Sequence, residues 1–149
     1  MNAETIAIAS DHAGYGLKAV LCAELAGLGY APLDLGTDSE DSVDYPDFAA
    51  ALVAALGDGR AQRGILVCGS GIGISMAANR HKGIRAAPCF SEEAARLSRQ
   101  HNDANVLALG ARLIDEDTAK RCVKAFLETA FEGGRHARRV GKLDAVGAG

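Results

Sequence analysis

The chain has 149 residues, of which 48% are hydrophobic and 23% charged, a composition typical of a single soluble domain with a sizeable core. Its formal net charge of −3 provides no basic field for nucleic acid, and no apolar run approaches the roughly 20 residues that a membrane span needs. The 4 cysteines lie far apart without C-x-x-C spacing, which argues against zinc and a disulfide scaffold and indicates a reducing, cytoplasmic location.

Short apolar runs predict β-strands, and apolar residues at helical spacing fill the segments between them. No basic region precedes the first run, so no signal peptide is expected. The strands are predicted over residues 6–9, 31–35, 64–67, 84–87 and 105–109.

Glycine, proline and serine mark the predicted helix boundaries. Gly29 closes the first helix because glycine readily adopts the left-handed conformation, Pro46 suits the first turn of the second, and Ser91 suits a helix start. A third helix is predicted over residues 75–80 and a last one from residue 135, with the tail from Gly147 frayed. The helix before it starts at Asp115 or Asp117, ends at Gly133 and Gly134, and buries Ala119, Cys122, Val123, Phe126, Leu127 and Ala130.

This alternation of strands and helices predicts an α/β fold, a three-layer α/β/α sandwich with a five-stranded parallel sheet of Rossmann-like type. Right-handed crossovers place the carboxyl end of every strand at one edge of such a sheet. We expect that edge to collect Asp11 and His12 after the first strand, Cys68 and Ser70 after the third, and Ser91 after the fourth.

Residues 64–80 carry the clearest functional signal, a strand that turns into a helix through Gly69, Gly71 and Gly73. Such a turn leaves backbone N–H groups unpaired and aimed at one spot, where they and the helix dipole attract anions. Cys68 ends the strand at the lip of this pocket. The pattern predicts a thiol beside an anion hole, and a buried core cysteine next to a tight turn is the alternative.

Position 74 excludes three familiar sites at this loop, because Ile74 stands there. A dinucleotide-binding G-x-G-x-x-G pattern that starts at Gly69 would need glycine at that position, and a P-loop would need its Gly-Lys pair to start there. A cysteine phosphatase would carry an arginine six positions after its cysteine, which is again position 74.

Other polar groups have both a structural and a functional interpretation. Asp11 and His12 either cap a helix and lie at the surface, or serve in acid–base chemistry beside the thiol. His101 ends a helix, where a histidine also interacts well with the helix dipole. The basic stretch at residues 135–139 is either a solvated helix face or a phosphate clamp that Arg112 joins.

Seven motifs together resemble ribose-5-phosphate isomerase type B, a family grouped with the isomerases of galactose 6-phosphate and allose 6-phosphate. They follow one another in order from about residue 5 to about residue 140, which covers nearly the whole chain. The motifs are Asp11-His12-Ala13-Gly14, Asp44-Tyr45-Pro46, Cys68-Gly69-Ser70-Gly71-Ile72-Gly73, Ala78-Asn79, Gly83-Ile84-Arg85-Ala86, Ser98-Arg99-Gln100-His101-Asn102-Asp103 and Gly133-Gly134-Arg135-His136.

The resemblance implies interconversion of ribose 5-phosphate and ribulose 5-phosphate, with a role for each matching residue. Cys68 is the implied base, because one branch of the family uses a glutamate four positions after the pocket serine and Ile74 stands there in this chain. Ser70 and the backbone N–H groups of Gly69, Gly71, Ile72 and Gly73 are implied to hold the enediolate oxygen. His101 with Asp11 is implied to open the furanose ring, Tyr45 and Asn102 to line the sugar, and His12, Arg135, Arg139 and Arg112 to hold the phosphate.

The chemistry of such a proton transfer agrees with the glycine loop. A thiol at its reference pKa of about 8.5 is a poor base near neutral pH. Unpaired N–H groups and a helix N-terminus are expected to lower the pKa of Cys68. The same donors stabilise the negative charge that develops on the enediolate.

The resemblance also implies a single domain over residues 1–149 that acts on a small sugar phosphate without metal or organic cofactor and without a nucleic-acid or membrane partner. Family members are dimers or tetramers with sites completed by a neighbouring subunit, so we expect a homodimer, or a tetramer, with the helix from about residue 135 packed on the neighbour. Two alternatives stay open: an isomerase of allose or galactose 6-phosphate, and a non-catalytic sugar-phosphate-binding subunit. The presence of Cys68, Ser70, Asp11 and His101 together favours activity.

Overall fold

The computed structural model describes residues 2–147, so the fraying predicted for the tail beyond Gly147 falls outside the described residues. Strands and helices alternate along the chain as predicted. The elements are β1 Thr5–Ser10, α1 Tyr15–Gly27, β2 Ala31–Asp34, α2 Tyr45–Gly57, β3 Arg63–Cys68, α3 Ile72–Asn79, β4 Ala86–Pro88, α4 Glu92–Gln100, β5 Val106–Gly110, α5 Glu116–Glu128 and α6 Arg135–Ala145.

All five strands form one parallel sheet in the order β2-β1-β3-β5-β4. The β3 strand is buried along almost its whole length, since both faces of the sheet are covered. One face packs on α1, α4 and α5 around Phe126, and the other packs on α2 and α3 around Leu52. The predicted three-layer α/β/α sandwich is therefore confirmed.

The neighbouring strands β1 and β3 send their following helices to opposite faces of the sheet, α1 to one and α3 to the other. A parallel sheet opens a crevice at its carboxyl edge where such a reversal occurs. The loops that follow β1 and β3 border this crevice, and these loops carry Asp11 and residues 69–71.

The fourth strand differs from its predicted span of residues 84–87. It begins two residues later, because the Asn105 side chain accepts the N–H of Arg85 at 2.8 Å and so replaces a ladder hydrogen bond there. It also includes Pro88, which has no N–H to donate. Proline is tolerated because β4 is the last strand at one side of the sheet.

Two helices also have boundaries that differ from the prediction. The third begins at Ile72 and not at residue 75. The fifth starts where the Asp115 carboxylate accepts the N–H of Thr118 at 2.7 Å, but it ends at Glu128, before the predicted glycines. The inward position predicted for Ala130 is therefore wrong, since this residue is exposed beyond the helix.

Gly133 and Gly134 precede α6 with φ angles of +70° and +56°, so they form the turn into the last helix and not the end of α5. The helix predicted from residue 135 is confirmed as α6. Within residues 2–147, no helix combines the length and the apolar character needed to cross a membrane.

Candidate active site

The loop after β3 bends tightly around the sulfur of Cys68. Gly71 adopts a left-handed conformation with φ of +78°, and its N–H donates to Cys68 Sγ at 3.1 Å. A Cβ at Gly71 would lie 2.9 Å from the Leu109 carbonyl carbon, so both the conformation and the space require glycine. The Gly71 N–H is thus aimed at the sulfur of a residue that is only 4% exposed.

The start of α3 supplies further donors beside this sulfur. Gly71 occupies the position before the first helical turn, so the helix N-terminus points at the loop. The N–H of Ile72 donates to Ser70 Oγ at 3.1 Å. The hydroxyl uses an acceptor site in that bond and keeps its own proton for a ligand. Cys68 therefore lies beside the glycine turn as predicted, and it is also packed against the core, as in the alternative interpretation.

Two side chains close over the glycines of this loop. A Cβ built on Gly69 would meet the Arg112 guanidinium at 3.2 Å, and one built on Gly73 would meet the Tyr45 ring at 2.7 Å. The absence of side chains at both positions thus makes room for Arg112 and Tyr45. These two residues, predicted to bind phosphate and sugar, lie at the loop.

The loop after β1 lies beside the loop after β3. The N–H of Asp11 donates to the Val67 carbonyl at 3.2 Å, which fixes Asp11 next to the end of β3. The Asp11 carboxylate accepts the N–H of Gly14 at 3.1 Å and is almost fully buried. Asp11 therefore caps the short 3-10 turn His12–Gly14, as its structural interpretation predicted, and it also lies at the crevice.

The ring of His12 is held in one tautomer by the loop before α2. Its Nδ1 accepts the N–H of Val43 at 3.1 Å. A nitrogen that accepts this bond carries no proton, so the proton of the neutral ring is on Nε2, where it can donate to a ligand. The contribution of Val43 was not predicted, because a backbone amide leaves no signal in the sequence.

Two further buried cysteines, Cys89 and Cys122, lie away from the glycine loop. Burial, with a smaller contribution from the nearby Cys122, raises the pKa of Cys89 to about 11. Burial likewise raises the pKa of Cys122 to about 11. These two thiols stay protonated near neutral pH, and their role is to fill the core between the sheet and its helices.

Four of the predicted site residues lie at the opposite edge of the sheet. The helix α4 follows the carboxyl end of β4 and runs back, so His101 and Asn102 come just before the amino end of β5. The last helix, α6, is tied to the same edge, where Asp144 pairs with Arg85 at 3.0 Å. Within one chain the structure therefore does not bring His101, Asn102, Arg135 and Arg139 to the Cys68 loop.

At that edge, His101 and His136 form a cluster with Glu132. The two rings stack with centroids 4.3 Å apart and an interplanar angle of 11°, and both Nε2 atoms are 3.8 Å from Glu132 Oε1. Among the described residues, these three offer ligand atoms within 4.8 Å of one another, as a metal site requires. Lone pairs lie in the ring planes, however, so nearly parallel stacked rings do not converge on one ion about 2 Å from each nitrogen.

The comparisons with known proteins cover almost the whole chain. The family described as ribose/galactose isomerase matches residues 6–143. The chain is 45% identical to ribose-5-phosphate isomerase B of Escherichia coli over 141 residues, which are 95% of each protein.

Solved structures agree with this match. Ribose-5-phosphate isomerase B of Clostridium thermocellum superposes with a TM-score of 0.93 at 49% identity, covering 95% of this chain and 96% of that one. A ribose 5-phosphate isomerase of Thermotoga maritima gives a TM-score of 0.92 at 51% identity, with 95% and 97% covered. The resemblance inferred from the motifs is confirmed, and the chain belongs to the ribose/galactose isomerase family.

Proposed function

We propose that the protein is an aldose–ketose isomerase that interconverts ribose 5-phosphate and ribulose 5-phosphate through an enediolate. The relatives named above support the substrate. The observation that carries the chemistry is the Gly71 N–H, 3.1 Å from Cys68 Sγ at the crevice between β1 and β3. That geometry places a hydrogen-bond donor on the sulfur at the place where a ligand of a parallel sheet binds.

In this proposal, Cys68 as a thiolate takes the proton from C2, the carbon next to the carbonyl, and returns it to C1, while the proton of the C2 hydroxyl moves to the C1 oxygen. The electron pair of the broken C–H bond moves into the enediolate, whose negative oxygen needs donors. The Ser70 hydroxyl and the N–H groups around Gly69 and Gly73 supply them. Preorganised donors of this kind are worth about a hundredfold in rate each. No external oxidant or reductant is needed, because C1 is reduced while C2 is oxidised within the same molecule.

The complete site is built from two copies of the chain in our proposal. Cys68, Ser70, Asp11, His12, Tyr45 and Arg112 come from the carboxyl edge of one copy. The amino edge of a second copy supplies His101, Asn102, Arg135 and Arg139, since these residues lie away from the loop in their own chain. A homodimer with shared sites accounts for this separation, with α6 at the interface.

A cytoplasmic location fits the free thiols at Cys22, Cys68, Cys89 and Cys122.

A six-carbon sugar phosphate is the second candidate substrate, because the description of the matching family names both ribose and galactose. The same base and donors serve either sugar, and only the length of the pocket separates them. Initial rates with ribose 5-phosphate, allose 6-phosphate and galactose 6-phosphate at equal concentrations decide between them. We expect ketose to form fastest from ribose 5-phosphate. A faster reaction with allose 6-phosphate or galactose 6-phosphate would instead identify that sugar phosphate as the substrate.

The base is tested with Cys68→Ala. General acid–base catalysis is worth about a hundredfold to ten-thousandfold, so turnover of ribose 5-phosphate should fall at least a hundredfold while calorimetry still detects binding of the sugar phosphate. Cys22→Ala, at a half-buried thiol of α1, is the control and should keep full activity. A folded, active Cys68→Ala protein would reject Cys68 as the base, whereas a wild-type protein that binds without converting would indicate a non-catalytic subunit.

A further inference from the structure

Glu132 and His136 lie next to His101, a residue that the proposed function uses. The side chain of His101 is 41% exposed, whereas that of His136 is 10% exposed. One face of the His101 ring therefore rests on a buried ring at a centroid distance of 4.3 Å, and the other side is open to a ligand. Glu132 is 51% exposed and brings one carboxylate oxygen to within 3.8 Å of both Nε2 atoms.

Backbone hydrogen bonds fix all three residues relative to one another. The N–H of Glu132 donates to the carbonyl of Gln100 at 3.1 Å, which ties Glu132 to the residue before His101. The N–H of His136 donates to the Gly133 carbonyl at 3.0 Å and holds the first turn of α6. The N–H of His101 donates to Leu97 at 2.9 Å and ends α4. Main-chain hydrogen bonds at the end of α4 and at the start of α6 therefore hold the two stacked rings in place.

The electrostatic surroundings keep the supporting ring neutral. Burial lowers the pKa of His136, and the positive charges of His101, Arg135 and Arg139 act in the same direction, against the opposing effect of the Glu132 carboxylate. A neutral His136 can stack on His101 in either protonation state without repelling it. Glu132 supplies the negative charge that stabilises His101 when it carries a proton.

We propose that Glu132 and His136 are positioning residues for His101, His136 as the stacking platform and Glu132 as the counter-charge, in the opening of the furanose ring. The inference rests on the proposed function and on the ring-opening role that the family resemblance implies for His101. In ring opening, the anomeric hydroxyl loses its proton and its oxygen becomes the carbonyl oxygen. The bond between the anomeric carbon and the ring oxygen breaks, and the ring oxygen keeps the electron pair and gains a proton. His101 must present one nitrogen to these oxygens in a fixed direction, which a stacked and charge-paired ring provides.

The test separates ring opening from proton transfer between carbons. Ribulose 5-phosphate is acyclic, because its C5 oxygen carries the phosphate, so deuterium uptake from D2O into its C1 position requires only the enediolate step. Ketose formation from ribose 5-phosphate requires ring opening as well. We expect Glu132→Gln and His136→Ala to slow ketose formation about tenfold, while deuterium uptake stays within about twofold of wild type.

Two further variants keep the result interpretable. His136→Phe retains a flat ring for stacking and should restore most of the rate that His136→Ala loses, whereas an equal loss would overturn the stacking role. Glu128→Gln, at an exposed carboxylate that ends α5, is the matched control and should behave as wild type. Equal losses of ketose formation and deuterium uptake in Glu132→Gln, or no loss of either, would overturn the proposal. A wild-type protein that shows neither reaction would instead reject the proposed function.

Discussion

The two edges of the sheet use polar groups in opposite ways. At the amino edge, Arg63 and Arg85 pair with carboxylates, such as the 2.7 Å contact between Arg63 and Glu4. Arg99 donates to the Asp103 carboxylate at 2.8 Å and to the Ala104 carbonyl at 2.6 Å. A polar cavity of about 540 Å³ lies among these side chains. Each of these three arginines therefore has its partner within the chain.

At the carboxyl edge, the donors instead point into the crevice. The glycine loop aims the Gly71 N–H at a sulfur, and Ser70 keeps its hydroxyl proton available. The difference separates arginines that are paired within the chain from groups whose donors face the crevice. Substitutions at the paired arginines of the amino edge should therefore change stability. Substitutions at the carboxyl edge, and at the amino-edge residues that we assign to the site of a second copy, should change catalysis. The predictions below test this division.

The largest expected effect comes from Arg139, which lies at the amino edge but which we assign to the phosphate site of a second copy. Arg139→Ala should raise KM for ribose 5-phosphate about tenfold to a hundredfold, because charge-assisted hydrogen bonds contribute about 1.5–3 kcal/mol. Its Tm should stay unchanged, since the side chain is exposed. Steady-state kinetics beside Lys124→Ala, an exposed control on α5, measures the effect. An unchanged KM would remove Arg139 from the phosphate site.

Gly73→Ala should impair catalysis without destabilising the fold. The new Cβ would lie 2.7 Å from the Tyr45 ring, and Tyr45, which is partly exposed, can swing away. We expect kcat/KM to fall about tenfold, while stability rises by up to about 1 kcal/mol because alanine favours a helix more than glycine does. Gly57→Ala, at the end of α2 with open space around its Cβ, is the control and should keep its activity. Full activity in Gly73→Ala would show that the close fit of Tyr45 is dispensable.

Arg63→Met should destabilise the fold without impairing catalysis. It removes the hydrogen bonds to Glu4 at 2.7 and 2.9 Å and the one to the Leu127 carbonyl at 3.1 Å. We expect the free energy of unfolding to fall by about 1 kcal/mol, a Tm decrease of roughly 3 °C for a domain of this size, with kcat unchanged. Arg60→Met, at a more exposed arginine 3.6 Å from Asp58, should change Tm less. A loss of kcat without a loss of stability would contradict the division between the edges.

The smallest expected effect is a loss of folding stability at high pH that comes from the core thiols of Cys89 and Cys122. Cys89 and Cys122 have pKa values near 11 when folded, above the value of about 8.5 for an exposed thiol. The unfolded chain therefore releases these protons first as the pH rises. Stability from both thiols is complete below about pH 8.5 and is lost as the pH rises toward 11. Urea unfolding at several pH values should show a flatter decline for a Cys89→Ala, Cys122→Ala double variant than for wild type.

The sequence allowed the sheet, its layers and the edge that carries the site to be predicted, because these depend on apolar runs and on the handedness of crossovers. Asp11 and Cys68 were both placed at that edge from their positions after β1 and β3. The strong signal at the glycine loop has a local cause. The left-handed conformation and the close backbone contact at position 71 demand glycine, and the absence of a Cβ at positions 69 and 73 leaves room for Arg112 and Tyr45.

Contacts between distant segments explain what the sequence did not predict. The early end of α5 depends on Arg99, which donates to the Thr129 carbonyl at 3.3 Å from another helix. The tautomer of His12 depends on a backbone amide 31 residues away. The cluster of Glu132 with His101 depends on a turn that brings α6 back to the end of α4. Neither periodicity nor composition reports such contacts.

The strand order has a consequence for synthesis on the ribosome. β5 is the last strand to be made, yet it lies between β3 and β4. Until residue 110 has emerged, the nascent chain holds β4 without any neighbour to pair with, and one side of β3 stays open. β4 can therefore join the sheet only after β5 has been made, and a ribosome that stalls before β5 would leave unpaired strand edges prone to pair with other chains.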